Sequence, residues 1–146
     1  ACAVRRYARL CSCCRGFAIE TKDRIVSSEL RSHRDLVVWQ KSLDFAETIY
    51  RLTAKFPANE QFGFSMQLRA AATAIPSGIA SGAAQGNNHD FADQVSTSLG
   101  ALAQVETQLE LATKLGLLEA SQSLTPEILQ LMRMLMRLRQ SLLDKQ

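Results

Sequence analysis

Only two histidines, His33 and His89, occur in this 146-residue sequence. Neither follows a glutamate at the Glu-x-x-His spacing that a di-iron carboxylate bundle uses, so no such metal site is expected. No Ser–His–Asp order and no phosphate-cradling glycine loop stands out either. Aromatic residues make up 6% of the chain, so aliphatic side chains must fill any core. No apolar run approaches the ~20 residues that a membrane-spanning helix needs. No strand-like alternation of polar and apolar residues appears. Proline occurs only at Pro57, Pro76 and Pro126, which leaves long stretches open to helix. These absences exclude the usual chemistry-bearing constellations. No catalytic, cofactor-binding or metal-ligating residue is expected, and an enzyme is not the expected reading.

What is present divides the chain in two. Residues 1–34 hold eight basic and three acidic residues, a net charge of +5. The remaining residues hold nine basic and eleven acidic ones, a net charge of −2. The basic pI of 8.8 therefore comes from the N-terminal segment, which weakens a simple charge argument for nucleic-acid binding. All four cysteines lie there too, at Cys2, Cys11, Cys13 and Cys14. They lack a nearby histidine and a second C-x-x-C pair, so they read as an oxidation-prone tail more readily than as a metal site. Charged residues recur too often in this tail for a secretory signal, with a transit-like peptide as a minor alternative. Residues 1–33 are expected to lie outside the core, and the first 25 to 30 read as translated upstream sequence. A cysteine-free remainder fits the cytoplasm.

From residue 34 onward the pattern is helical. The spacing predicts helices over about 35–55, 61–85, 89–115 and 125–143. Asp35 is expected to cap the first, whose stripe is Leu36, Trp39, Leu43, Ala46, Ile49, Tyr50 and Thr53. Phe56-Pro57 ends it. The second carries Phe62, Met66, Arg69, Ala70 and Thr73 along one side. Pro76 lies within it and is expected to kink its axis. Gly86-Asn87-Asn88 breaks that helix, and Gly116 stops the third. Thr125-Pro126-Glu127 announces the fourth. Four amphipathic helices with short links fold most economically as an all-α, antiparallel up-down-up-down four-helix bundle over residues 34–146.

Several stretches carry a family signature. They are Arg34-Asp35-Leu36-Val37-Val38-Trp39-Gln40-Lys41, Lys55-Phe56-Pro57, Phe62-Gly63 and Gln67-Leu68-Arg69-Ala70-Ala71. The signature continues through Ala74-Ile75-Pro76-Ser77, Ser98-Leu99-Gly100-Ala101-Leu102, Glu106-Thr107-Gln108-Leu109 and Leu115-Gly116. In this order they resemble the bacterial four helix bundle protein family, which includes proteins encoded by intervening sequences within 23S rRNA genes. The accessory variability proteins of diversity-generating retroelements are similar too. The chain departs from the family in Gly78, where Asn is frequent, and in Ser81, where Glu is frequent. It also departs in the uncharged Gln85–Asn88 stretch, which is commonly basic. The resemblance implies a homo-oligomer, a pentamer with a central channel. It also implies an adaptor that contacts structured RNA or a reverse transcriptase.

The candidate residues follow. Arg133, Arg137 and Arg139, with Lys145, make the densest basic patch in the bundle. This patch is either a solvated surface or a contact for nucleic acid or an acidic partner. Trp39 could stack on a base, but its apolar stripe favours a core position. Arg69 is expected to pair with Glu106, to form a subunit contact, or to hold an RNA phosphate. Met134 and Met136 lie off the main stripe of the fourth helix, together with Leu143, and mark an oligomer interface. A purely structural oligomer with an unknown protein partner is the alternative function.

Overall fold

The computed structural model describes residues 32–60, 63–119 and 124–145. The cysteine-containing tail and Phe62 lie outside these residues, except that Ser32 and His33 of the tail's end are included. Among the described residues there are four α-helices and no strand, as a four-helix bundle requires. They are α1 (Val37–Thr53), α2 (Phe64–Ala84), α3 (Asn88–Lys114) and α4 (Thr125–Leu143). Consecutive helices pack side by side, while α1 touches α4 only sparsely.

The first helix begins later than the sequence suggests. A single 3-10 turn, His33–Asp35, precedes it, and the Ser32 hydroxyl accepts a hydrogen bond from the Arg34 N–H. Asp35 is used up in that turn and does not cap α1. The cap position is Leu36, whose extended backbone (φ −76°, ψ 116°) offers no side-chain acceptor. The buried stripe also differs. Val38, Ser42, Phe45, Ala46, Ile49 and Thr53 face the core, whereas Leu43 and Tyr50 are exposed. The helix carries two apolar stripes roughly one residue's rotation apart, about 100°; the first is buried, while Leu43 and Tyr50 of the second stay largely exposed.

In α2 the buried side chains are Ser65, Leu68, Ala71, Ala72, Ile75, Pro76 and Ile79, with Gly82 beyond them. Met66, on the side of the helix that the spacing groups with Arg69, Ala70 and Thr73, is 61% exposed. The second and third helices approach closely because Gly78 and Gly82 have no side chain. A Cβ on Gly82 would lie 2.5 Å from Phe91 Cδ2 and 2.9 Å from Gln94 Cβ. A Cβ on Gly78 would collide with Ser98 Oγ. The Ser98 hydroxyl donates to the Ile75 carbonyl at 3.1 Å, across the same seam. Partners rise along one helix as they fall along the other, so α2 and α3 run antiparallel.

Asn87 caps α3 by accepting from the His89 N–H at 2.9 Å. At the other end Gly116 adopts φ +74°, a conformation glycine enters without strain. That turn lets the Leu117 N–H reach the Ala112 carbonyl at 2.9 Å, satisfying a helix-end acceptor. Leu118 is then buried. The bounds of α4 are those its sequence announces, but its cap position is Leu124, with Thr125 and Pro126 already in the first turn.

The core is largely aliphatic, with Phe45, Phe56 and Phe91 as its buried aromatics. Ile49, Ile75, Ile79, Leu68, Leu102 and Leu135 are fully buried. Each contributes about 1.5–3 kcal/mol by leaving water. The buried hydroxyls of Ser42 and Thr53 donate to backbone carbonyls one turn earlier, so they enter the core without an unmet hydrogen bond.

Candidate functional site

The four basic residues at the end of the chain are all exposed. Arg133 and Arg137 are one turn apart and share a face of α4. Arg139, two residues further, points about 160° away from Arg137. The helix therefore brings together two of the three arginines. None of the three forms an ion pair or hydrogen bond among the described residues. Met136 is 53% exposed, while Met134 and Leu143 are half-buried against the core. The interfacial role expected of the two methionines rests on Met136 more than on Met134.

Trp39 is half-buried at the rim of the core. The His33 ring meets it edge to face, with centroids 5.0 Å apart. Pro76 is buried within α2.

Arg69 does not meet Glu106. Its Nε–H donates to the Thr53 hydroxyl at 2.7 Å, and its guanidinium lies 5.0 Å from the Tyr50 ring centroid. The Thr53 oxygen and the aromatic face stabilise the half-buried cation in place of a carboxylate. Spacing could not have shown this, because the partners sit on α1 and carry no opposite charge. Glu106 is exposed on α3 and has no ionic partner among the described residues. Together with Glu110, Leu109, Thr125 and Ile128 it lines an open cleft of about 320 Å³ between α3 and α4. Glu110 also pairs with Lys114 at 3.2 Å.

One cluster escaped the sequence reading. His89, Asp90 and Asp93 bring a ligand atom each to within 4.8 Å of one another at the start of α3. All three are exposed. His89 Nδ1 lies 3.5 Å from an Asp93 oxygen, and the Asn87 amide donates to Asp90 at 3.2 Å. The signal was available as His89 and Asp93 at i, i+4, which places them on one helix face.

Comparison with known families decides the relationship. The sequence profile described as "23S rRNA-intervening sequence protein" matches residues 34–137. The chain belongs to the 23S rRNA-intervening sequence protein family. The match spans all four helices, though it stops at Arg137, before Arg139 and Lys145. Both Arg69 and Glu106, and the shared face of Arg133 and Arg137, lie within the family region. None of the curated proteins compared with the chain matches it. Among the described residues of this family member, no helix is long and apolar enough to cross a membrane.

Proposed function

We propose that this family member is a non-enzymatic, homo-oligomeric adaptor that contacts structured RNA through α4. The observation that carries the reading is the pair Arg133 and Arg137. Two exposed guanidinium groups on one helix face, without internal partners, suit phosphate oxygens better than a merely solvated surface requires. The family's description, which names a 23S rRNA intervening sequence, is in keeping with an RNA context. Exposed Met136 and Leu129 on the same helix support self-association. A pentamer is the oligomer we favour, from the family resemblance alone.

The reading carries structural expectations with it. The helices follow an up-down-up-down order, with the α2 axis kinked at Pro76. Residues 34–146 form one domain and 1–33 stand outside its core. The protein works in the cytoplasm, in keeping with a bundle sequence that contains no cysteine.

The test is a titration of the full chain with a structured RNA at low and moderate salt. Binding is expected to be weak, indifferent to sequence and sensitive to salt, because released counterions drive it. Replacing Arg133 and Arg137 with Gln should lower the logarithmic salt slope by about two, one per lost phosphate contact. Changing Arg139 as well should add less, since it points elsewhere. Equal binding by wild type and variant would remove α4 as the site. Absence of binding at low salt would instead favour a protein partner, such as a reverse transcriptase, or a purely structural oligomer.

A further inference from the structure

We propose that the cleft between α3 and α4 binds a linear aliphatic diamine, with one ammonium end on Glu106, the other on Glu110, and the methylene chain on the apolar floor. The site does not depend on the RNA reading.

One helix face and one turn build the cleft. Glu106, Leu109, Glu110 and Thr113 stand at i, i+3, i+4 and i+7 on α3, so they share a face over two turns, roughly 10 Å. Gly116, at φ +74°, then turns the chain back. That turn brings Leu118 to the same face, and Ile128 closes the floor from the first turn of α4. Leu109, Leu118 and Ile128 are buried members of the core. The groove of about 320 Å³ is therefore elongated, apolar below and acidic along one rim. Its volume lies at the small end of the range for small-molecule sites, about 300–1,000 Å³.

Charge and shape together select the occupant. Glu106 has no ionic partner among the described residues. Glu110 is held only by Lys114, in a pair whose two side chains are both exposed. An exposed pair of this kind contributes little, so an incoming ammonium can replace Lys114 at small cost. The Thr113 hydroxyl donates to the Leu109 carbonyl at 3.0 Å, which leaves its oxygen as a further acceptor one turn from Glu110. An ammonium carries three donors and no acceptor, so carboxylate and hydroxyl oxygens suit it. One turn separates the two carboxylates, whose Cβ atoms are about 5–6 Å apart, a span that a few methylenes cover. Those methylenes leave water by resting on Leu109 and Ile128. A divalent metal ion is a poorer occupant, since it wants about six oxygen ligands and gains nothing from an apolar floor. Arg133, Arg137, Leu129 and Met136 do not line the cleft, so its occupant leaves the phosphate contacts and the exposed apolar residues of α4 free.

The experiment is saturation-transfer NMR, observed on the ligand, with the full chain and 1,4-diaminobutane at fixed ionic strength. The comparison ligands are n-butylamine, magnesium chloride and trilysine. The diamine should bind with a millimolar dissociation constant, about three- to fivefold more tightly than n-butylamine, because it makes two ion pairs in place of one. Glu106→Gln and Glu110→Gln should each weaken it by a similar factor. Both positions are exposed, and circular dichroism checks that the variants keep their helices. Glu127→Gln removes the same charge from an exposed position outside the cleft and should change nothing. Magnesium at equal concentration should displace little of the diamine. No saturation transfer to the diamine overturns the site, as does undiminished binding by Glu106→Gln. An equal loss in Glu127→Gln, or displacement by magnesium, overturns it as well, since either shows general charge attraction only. Equal binding of n-butylamine overturns the pairing to both carboxylates. Tighter binding of trilysine, lost in Glu106→Gln, assigns the cleft to a basic segment of a protein partner and overturns this ligand class. RNA binding through α4 is read separately and stands or falls by its own titration.

Discussion

A chain with Leu102 shortened to alanine should lose about 3 kcal/mol of stability in urea unfolding. Leu102 is fully buried in the middle of α3. The helix carries Ser98 one turn before it and Val105 one turn after it, both buried. Removing three carbons there costs the transfer energy of the lost atoms and adds a cavity that the neighbours close only in part. Buried Leu→Ala changes of this kind span about 2–5 kcal/mol. Such a loss is a large share of the roughly 5–15 kcal/mol that holds a domain folded. The same change at Leu115, which is 59% exposed, should cost only a few tenths of a kcal/mol. Equal effects at the two positions would mean that the core is not where the structure puts it.

The second expectation concerns sign. Glycine inside a helix is worse than alanine by roughly 1 kcal/mol, so Gly→Ala in a helix ordinarily stabilises. At Gly82 the structure reverses this. The new methyl would stand 2.5 Å from a Phe91 ring carbon and 2.9 Å from Gln94 Cβ. Both neighbours are rooted in α3, so α2 and α3 must part or Phe91 must leave its place in the core. Overpacking of this kind costs about 1–3 kcal/mol. Gly82→Ala should therefore lower the urea midpoint, and Gly82→Leu should lower it further, for a total loss of about 3 kcal/mol of stability. Gly100 is the control. It is also helical, but nothing lies within 4 Å of an added Cβ. Gly100→Ala should raise the midpoint. A stabilised Gly82→Ala variant would show that the two helices are not in close contact there.

Much of this architecture was legible in the chain. The bounds of α4 followed from Thr125-Pro126-Glu127 and the stripe from Ile128 to Leu142, because proline in a first turn and a regular apolar period rarely compete with another reading. Gly116 marked the end of α3 for the same reason, whereas Gly86-Asn87-Asn88 read only as the break after α2, and the Asn87 cap on α3 emerged from the structure. The orientation of α1 was less legible. Leu43 and Tyr50 keep helical spacing with Trp39, while Val38, Phe45 and Ile49 keep it with one another. Periodicity finds both stripes but cannot say which one the other helices cover. The site shows a similar limit. Charge suggested that Arg69 should seek Glu106, yet a threonine hydroxyl and a tyrosine ring hold it. Such partners leave no trace in a charge pattern and become visible only when α1 is laid against α2.

The close seam between α2 and α3 also bears on how the chain finds its fold. Only Gln85, Gly86 and Asn87 separate the two helices. Gly82 and Phe91, which touch across the seam, are nine residues apart in sequence. Closing so short a loop costs little entropy. Contacts of low separation form early and make helical proteins fast folders. The α2–α3 hairpin should therefore form first and serve as the template on which α1 and α4 settle. Substitutions along this seam should slow refolding, whereas truncating Leu142 near the end of α4 should chiefly speed unfolding. The reverse pattern would place the nucleus elsewhere. On this view Gly78 and Gly82 shape the order of assembly as much as the finished bundle.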